Sequence, residues 1–239
     1  HRRLRFGSRH RDRDSPKLKC VNAAAKNSPR AGALPVSLAF AEAFVADTEP
    51  SRLARRKAAA LDQSSIRGGV AATLTLLTKT LAAKAVVEIG TGTGVSGLAL
   101  FAGMVADGVL TSIDTESENQ AAAREAFSEA GVPSRRIRLI AGQALVVLPK
   151  LSDAAYDLVF INGDPLEYVE YVSQAERLLR PGGLLVLHHA LWEGKVADEQ
   201  NSDDEPLIVR EALAAVQDSG LFTAALLPLG DGLLVAVRD

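Results

Sequence analysis

The sequence is poor in cysteine and histidine, which limits the chemistry that it supports. Cys20 is the only cysteine among 239 residues, so one chain forms neither a disulfide framework nor a cysteine-based zinc site. Two of the four histidines, His1 and His10, lie near the N-terminus, which leaves the adjacent pair His188 and His189 in the rest of the chain. A single cysteine is typical of the reducing cytoplasm, which is the compartment that we expect.

Long apolar runs are also absent. No stretch approaches the ~20 apolar residues needed to cross a bilayer, so we expect no membrane partner. The net charge is −2, but residues 1–30 carry ten Lys and Arg against two Asp. Such a basic arm could contact nucleic acid or an anionic membrane. Because it lacks apolar periodicity, we instead predict that residues 1–33 are a disordered or artificially added tail, with no nucleic-acid partner.

Residues 34–239 are predicted to form one catalytic domain, with N-terminal helices in 34–83 and a cofactor-binding core in 84–239. Apolar residues recur at helical spacing in eight segments. These segments are Val36–Ala46, Ser51–Leu61, Gly69–Ala82, Val95–Ala106, Ser117–Ala130, Gln143–Leu151, Leu166–Leu179 and Glu205–Ser219. Ser51 follows a proline and is expected to cap the second helix.

The second predicted helix carries a basic face. Its cationic residues are Arg52, Arg55, Arg56 and Lys57. This face either meets solvent or contacts an acidic substrate or a partner subunit.

Short β-branched runs alternate with the later helices and predict seven strands. The runs are Ala85–Ile89, Leu110–Asp114, Ile137–Ala141, Leu158–Ile161, Leu184–His188, Phe222–Leu227 and Leu233–Val237. Strict alternation predicts an α/β, Rossmann-like sheet that is mostly parallel, with helices on both faces. Only Pro228–Gly232 separates the last two runs, so we expect an antiparallel C-terminal hairpin.

A glycine-rich turn follows the first predicted strand, in the run Glu88-Ile89-Gly90-Thr91-Gly92-Thr93-Gly94-Val95-Ser96-Gly97. Glycines permit a tight turn and the close approach of a nucleotide-type ligand. The stretch Gly92–Gly97 also fits the dinucleotide pattern G-x-G-x-x-G, which supports an NAD(P)-dependent oxidoreductase as an alternative. Glu88 argues against it, because a carboxylate repels a pyrophosphate and attracts a cationic amino group.

Asp114 ends the second predicted strand, 24 residues after Gly90. A carboxylate there can accept hydrogen bonds from both hydroxyls of a ribose. The alternative role is to cap the helix that follows. The glycine-rich loop and Asp114 together predict an adenosine-bearing ligand.

These motifs resemble the small O-methyltransferases of the catechol and caffeoyl-CoA group, above all bacterial members from actinobacteria. The resemblance covers about Ala39 to Asp239. Besides the glycine loop and Ser112-Ile113-Asp114, its motifs are Gly142-Gln143-Ala144-Leu145, Asp157-Leu158-Val159-Phe160-Ile161-Asn162, Leu179-Arg180-Pro181-Gly182-Gly183 and Leu191-Trp192. It implies a seven-stranded methyltransferase sheet and the cofactor S-adenosyl-L-methionine. A homodimer with the N-terminal helices near the partner is also expected.

The resemblance implies which residues contact the cofactor. Glu88 is expected at its cationic amino end, the loop at its methionine part, Asp114 at the ribose, and Gln143 with Ala144 at the adenine. The full predicted set is Glu88, Gly90, Thr91, Gly92, Gly94, Ser96, Asp114, Gln143, Ala144 and Asn162.

The sequence departs from the family where the acceptor is bound. The family typically places one Asp after the fourth strand and an Asp-Asn pair after the fifth, and these hold a divalent cation. Asn162, His188 and His189 occupy those positions, and Pro165 replaces a lysine that often serves as base. Because Mg²⁺ prefers charged oxygen ligands, a divalent metal becomes doubtful and none is predicted.

Three hypotheses remain for this altered site. In the first, which we favour, a histidine is the general base that deprotonates a hydroxyl of a small-molecule acceptor, with His188 preferred. In the second, Asn162, Asp164 and both histidines bind a softer metal. In the third, the histidines only satisfy hydrogen bonds at the strand end. Adjacent strand residues point to opposite faces, which argues against the metal unless the strand has already ended.

Two further alternatives stay open. Trp192 either forms a wall of the acceptor pocket or simply packs a loop. The missing carboxylates and lysine also permit a protein that binds S-adenosylmethionine without catalysis.

Overall fold

The computed structural model describes residues 36–239, so the prediction of a basic tail in residues 1–33 lies outside the described residues. Seven strands form one sheet in the order β3-β2-β1-β4-β5-β7-β6. They are β1 Ala85–Ile89, β2 Val109–Asp114, β3 Ile137–Ala141, β4 Tyr156–Ile161, β5 Leu179–His188, β6 Phe222–Leu227 and β7 Leu233–Arg238. Strands β1 to β5 pair in parallel, and β7 is antiparallel to both β5 and β6. The predicted sheet and its C-terminal hairpin are confirmed.

Helices cover both faces of the sheet. They are α1 Val36–Ala43, α2 Glu49–Ala60, α3 Gly68–Thr80, α4 Val95–Gly103, α5 Ser117–Glu129, α6 Ala144–Val147, α7 Tyr168–Leu178 and α8 Asp204–Asp218. Neighbouring residues of one strand enter different cores: Val86 packs with α3, α4 and α5, whereas Val87 packs with α7 and α8. This alternation follows from the pleat of a β-strand and explains why the strands are apolar throughout. Within the described residues, no helix is both long and apolar enough to cross a membrane.

The start of α2 differs from the prediction. Thr48, not Ser51, is the N-cap, and its hydroxyl accepts a hydrogen bond from the Ser51 amide. Pro50 lies in the first turn, where its missing N–H costs nothing, so the helix begins before the proline.

Two other predicted boundaries were wrong because of proline and glycine. The expected helix Gln143–Leu151 is α6 followed by a separate 3₁₀ turn at Leu148–Lys150, which contains Pro149. Pro149 lacks the N–H that a continuous α-helix would use. Strand β5 begins before the predicted Leu184, because the chain keeps pairing with β4 through a bulge in which Gly182 has a φ of 74°.

Candidate functional site

Four strands end at one edge of the sheet, beside a cavity of about 430 Å³. This is where open α/β sheets place their ligands. We call it the acceptor cavity. Its walls come from the loop between α2 and α3 and from the carboxyl ends of β1, β2, β4 and β5: Gln63, Ser64, Ser65, Ile66, Gly90, Gly92, Asp114, Asn119, Asn162, Gly163, Pro165, His188, His189 and Trp192.

A second cavity of about 340 Å³ lies along the same edge, and we call it the adenosine cavity. Its walls include Asp114, Gln143 and Ala144, the residues predicted to contact ribose and adenine. Gly90, Asp114, Asn162 and Gly163 line both cavities. The two spaces therefore meet at Gly90 and Asn162.

The loops after β1 and β4 touch at this junction. The Asn162 amide donates to the carbonyl of Ile89 at 2.9 Å. Gly90 has a φ of +93°, and a Cβ on it would lie 2.2 Å from the Asn162 carbonyl oxygen. Glycine is therefore required at this position for the two loops to approach.

Asp114 ties the glycine loop to the end of β2. Its Oδ2 accepts a hydrogen bond from the Gly92 amide at 2.9 Å, and its Oδ1 accepts one from the Glu116 amide at 2.8 Å. The α5 N-cap position itself is Glu116, so the capping alternative for Asp114 is not what the structure shows. The Asn119 side-chain amide also donates to both carboxylate oxygens, at the longer distance of 3.4 Å.

Glu88 lies beneath the loop rather than in either cavity. Its side chain is fully buried, with the Ser112 hydroxyl donating to its Oε2 at 2.5 Å and no partner for Oε1 among the described residues. Burial raises the pKa of Glu88 to about 7, although hydrogen bonds from Ser112 and Ser96 lower it in part. Glu88 thus supports the loop through Ser112, and its predicted contact with the cofactor amino group stays a prediction.

The remaining predicted loop residues divide between support and lining. The Thr91 hydroxyl is buried against the Ser112 hydroxyl at 2.7 Å, and Gly94 packs against Ala123 and Phe127. A small space of about 30 Å³ continues the acceptor cavity toward α4 and is lined by Thr91, Gly92 and Ser96 among others. Gly94, like Glu88, lines none of these spaces.

Both histidines enter the acceptor cavity. Strand β5 ends at His188, and His189 has a φ of +58°, which turns its side chain back. The two imidazole ring centroids lie 3.9 Å apart. The expectation that the rings point to opposite faces holds only for a continuing strand, and it does not apply here.

His188 is held as a neutral ring. It is 3% exposed, and its Nδ1 lies 2.8 Å from Asn162 Oδ1. Since an amide oxygen only accepts, this contact places the proton on Nδ1. Burial, assisted by repulsion from His189, lowers the pKa of His188 to about 3. Its Nε2 has no partner among the described residues.

His189 is more open and pairs with an acid that the sequence analysis did not identify. Its side chain is 34% exposed, and its Nδ1 lies 3.1 Å from Asp231 Oδ2. Trp192 meets the same ring edge to face, at a centroid distance of 5.8 Å. Trp192 both lines the cavity and packs against the core, so its two predicted roles coexist.

Comparison with known proteins identifies the family. The O-methyltransferase family profile matches residues 51–239. A relative from Mycobacterium avium strain 104, whose name assigns it to the O-methyltransferases, is 46% identical over 202 residues, which is 84% of this chain and 91% of that protein. Another from Mycobacterium sp. strain JLS is 48% identical over 206 residues, 83% of this chain and 94% of that protein. The chain belongs to the O-methyltransferase family.

Solved structures agree with this methyltransferase assignment. A protein from Corynebacterium glutamicum is 31% identical with a TM-score of 0.78, over 84% of this chain and 94% of that one. The O-methyltransferase TomG from Streptomyces achromogenes, involved in tomaymycin synthesis and solved in complex with S-adenosylmethionine, is 26% identical with a TM-score of 0.78. That match covers 85% of this chain and 96% of TomG. Family membership decides against the oxidoreductase alternative.

The donor groups of this methyltransferase do not fit a hard divalent cation. Asn162 Oδ1 and His188 Nδ1 bind each other, and His189 Nδ1 faces Asp231. Neutral nitrogen and amide donors are poor ligands for Mg²⁺ or Ca²⁺. Across residues 36–239, no group of three or more His, Cys, Asp or Glu is arranged to hold a metal ion.

The basic residues of α2 are all paired with acids of the same methyltransferase chain, although two of them share one carboxylate. Arg52 and Arg56 pair with Glu49, Arg55 pairs with Asp47, and Lys57 pairs with Glu125. These contacts leave little free charge on α2 for an acidic substrate or partner.

Sequence reasoning missed several residues of the site. The loop Gln63–Ile66 carries no motif and reaches the cavity only through the packing of α2 and α3. Asp231 was assigned only to the hairpin turn, although the sequence already showed an acid between Gly230 and Gly232 beside the last strand. Tyr171 and Gly163 line the adenosine cavity from α7 and the loop after β4.

Proposed function

We propose that this methyltransferase moves a methyl group from S-adenosyl-L-methionine to a hydroxyl of a small-molecule acceptor. The observation that carries the proposal is the meeting of the adenosine and acceptor cavities at Asn162 and Gly90. Two molecules bound there are held with their reacting ends together. Such alignment lowers a barrier by as much as roughly 7 to 11 kcal/mol.

The residues that line the adenosine cavity and the small space beside it would contact successive parts of the cofactor. Asp114 would bind the ribose, and Gln143 with Ala144 would border the adenine, since all three line the adenosine cavity. The backbone from Gly90 to Gly92 would border the methionine part, where the small space continues toward Ser96. When bound, S-adenosylmethionine supplies an electrophilic sulfonium methyl: its S–CH₃ bond breaks as the acceptor oxygen forms the new O–CH₃ bond.

His189 is the group that we propose as general base. Its Nδ1–H donates to Asp231, which leaves the lone pair of Nε2 free to accept the acceptor's hydroxyl proton. His188, which the sequence analysis preferred, is nearly closed to solvent, and its lowered pKa makes it a weak base. In this scheme His188 instead fixes the Asn162 side chain at the junction of the cavities.

The proposed transfer needs no divalent cation. Asn162, His188 and His189 replace the charged oxygens that such a cation requires, and Asn162 Oδ1 is already bound to His188 Nδ1. The hypothesis of a softer metal gains no support either, because no group of three or more His, Cys, Asp or Glu within residues 36–239 is arranged to hold a metal ion.

We also propose a cytoplasmic homodimer. Helix α1 and the residue that follows it expose Val36, Phe40 and Phe44 to 88%, 70% and 76%, an apolar surface that a second copy would cover. The lone cysteine supports a reducing compartment. Sedimentation of the chain without residues 1–33 tests the dimer, and a monomer at tens of micromolar would overturn it.

The test of the function is turnover of S-adenosylmethionine with phenol, catechol and 4-hydroxybenzoate as probe acceptors, in the presence of EDTA. We expect formation of S-adenosylhomocysteine and of the O-methylated product with at least one acceptor. Retention on immobilised adenosylhomocysteine but not on a dinucleotide matrix checks the cofactor separately. Tight cofactor binding without turnover of any hydroxylated compound would favour the non-catalytic alternative.

A further inference from the structure

Asp231 connects the C-terminal hairpin to the acceptor cavity. It lies in the turn between β6 and β7, and its two carboxylate oxygens accept different hydrogen bonds. Oδ2 faces Nδ1 of His189 at 3.1 Å, and Oδ1 accepts from the Glu193 amide at 2.6 Å. Its backbone carbonyl accepts from the Leu191 amide at 2.9 Å. One residue thus holds both the histidine and the segment that follows it.

That segment has an unusual backbone. His189, Trp192 and Glu193 have backbone φ values of +58°, +44° and +54°, in a region that residues other than glycine seldom adopt. Conformations of this kind persist only where the surroundings enforce them, and they concentrate at functional sites. The hairpin supplies the constraint, because the Gly232 carbonyl accepts from Ala190 while Asp231 holds its neighbours.

We propose that Asp231 is the positioning residue for methyl transfer, acting through His189. By accepting the Nδ1–H, its carboxylate fixes the tautomer whose Nε2 lone pair points away from the hairpin. It then stabilises the imidazolium that forms when the acceptor's hydroxyl proton moves to Nε2. The proton leaves the acceptor oxygen as that oxygen forms its bond to the methyl carbon, so the charge on Asp231 balances the new cation. This inference rests on His189 being the base in the proposed function.

The surrounding charges leave this role to Asp231. The His188 ring lies tilted against the His189 ring and stays neutral. Arg67, at the start of α3, adds positive charge that disfavours a cationic His188. Burial opposes ionisation of Asp231, but the hydrogen bonds from His189 and Glu193 outweigh it and lower its pKa. Asp231 is therefore the anion that faces His189.

An amide cannot replace this carboxylate. The Nδ1–H of His189 and the N–H of Glu193 both need an acceptor, and Asp231 offers one oxygen to each. An asparagine has a single oxygen, so one donor would lose its acceptor or His189 would be forced into the other tautomer. In that tautomer Nε2 carries the proton and cannot accept another.

The experiment compares Asp231→Asn with Asp153→Asn, which makes the same chemical change at an exposed ion pair with Arg177 far from both cavities. Rates with the best of the probe acceptors, cofactor affinity and pH profiles are measured for both. We expect Asp231→Asn to lower kcat roughly 10- to 100-fold, less than removal of the base itself. Its cofactor affinity should be preserved, and the acidic limb of its pH–rate profile should move to lower pH. Asp153→Asn should match the unmodified enzyme.

The outcomes separate this inference from the proposed function. A normal rate in His189→Gln would overturn the base and with it the role of Asp231. A loss of rate in His189→Gln with a normal Asp231→Asn would overturn the positioning role alone. The positioning role would also be overturned if Asp231→Asn lowered the rate but left the acidic limb of the pH–rate profile in place, because that result indicates a merely structural contact. Nitrogen NMR of the unmodified protein needs no variant: neutral His189 should carry its proton on Nδ1, and a proton on Nε2 would contradict the proposal.

Discussion

The imidazole rings of His188 and His189 lie 3.9 Å apart although the two residues are adjacent in the chain. The contact is possible because β5 ends at His188 and the next residue takes a positive φ. Burial differs sharply between the two rings, at 3% exposure for His188 against a 34% exposed side chain for His189. In the proposed function the two imidazoles therefore have different tasks, since His188 fixes Asn162 and the more exposed His189 meets the acceptor.

The first prediction concerns the neutral ring. Its folded-state pKa of about 3 lies below the ordinary 6.5, so the unfolded chain takes up a proton that the folded chain refuses. The stability that His188 contributes is complete above pH 6.5 and is lost as the pH falls toward 3. Between pH 7 and pH 5 the unmodified protein should lose roughly 2 kcal/mol that His188→Gln does not lose. Denaturant unfolding at both pH values measures this difference. An equal loss of unfolding free energy in the two proteins would refute the prediction.

A second prediction concerns Glu88, for which the sign is opposite. Its folded-state pKa of about 7 lies above the ordinary 4.5, so its favourable contribution is complete below pH 4.5 and is lost as the pH rises to 7. Across this window the unmodified protein should lose roughly 3 kcal/mol relative to Glu88→Gln. The difference in unfolding free energy between the two proteins, followed from pH 4.5 to pH 7.5, is the measurement. A difference in unfolding free energy that does not change with pH would show that the pKa of Glu88 is the same in the folded and the unfolded protein.

The third prediction uses two glycines of one loop as a matched pair. Gly92 has a φ of +49° with nothing within 4 Å of an added Cβ, so Gly92→Ala should cost only about 1 kcal/mol of backbone strain. Gly90→Ala adds a collision with the Asn162 carbonyl and should cost about 3 kcal/mol or more. Thermal and denaturant unfolding of both variants checks the ranking. Equal losses would mean that the loops after β1 and β4 do not need their close contact.

The fourth prediction concerns the ribose site. Asp114→Ala should weaken S-adenosylmethionine binding by roughly 1.5 to 3 kcal/mol, the scale for losing hydrogen bonds to a charged group. Asp114→Asn is the milder control, because its one amide oxygen can keep the contact with the Gly92 amide, although the contact with the Glu116 amide is then lost. Calorimetry measures both. An unchanged dissociation constant in a folded Asp114→Ala protein would exclude a role in ribose binding.

Much of the fold could be predicted because its signals are local. Strands β1, β3 and β6 have the predicted bounds, since each is a short apolar run between turn residues. The sheet edge that carries the predicted cofactor residues could be located in the same way, because the carboxyl ends of parallel strands meet at one side of the sheet. Boundaries near proline were less certain, as Pro50 and Pro149 show, because proline can either open a helix or end one.

The acceptor site could be predicted only in part because its contacts are distant in sequence. Asp231 meets His189 across 42 residues, and the sequence offered a sufficient explanation for Asp231 in the turn. The exposure of the two histidines depends on the packing of the hairpin, since a Cβ on Gly230 would lie 3.0 Å from His188 Nε2. The burial of Glu88 could not be predicted from its place at a strand end either, because it depends on the helices and loop that pack over the strand.

The most direct test of the central claim is the initial rate of S-adenosylhomocysteine formation with the probe acceptors, measured in EDTA and again with added Mg²⁺, for the unmodified enzyme and for His189→Gln. Because His189, and not a metal, is the proposed base, the unmodified enzyme should keep its rate in EDTA and gain little from Mg²⁺. His189→Gln should lose roughly 10² to 10⁴ in rate with its cofactor affinity preserved. A rate that EDTA abolishes and one divalent cation restores, or a His189→Gln enzyme with the normal rate, would contradict the account.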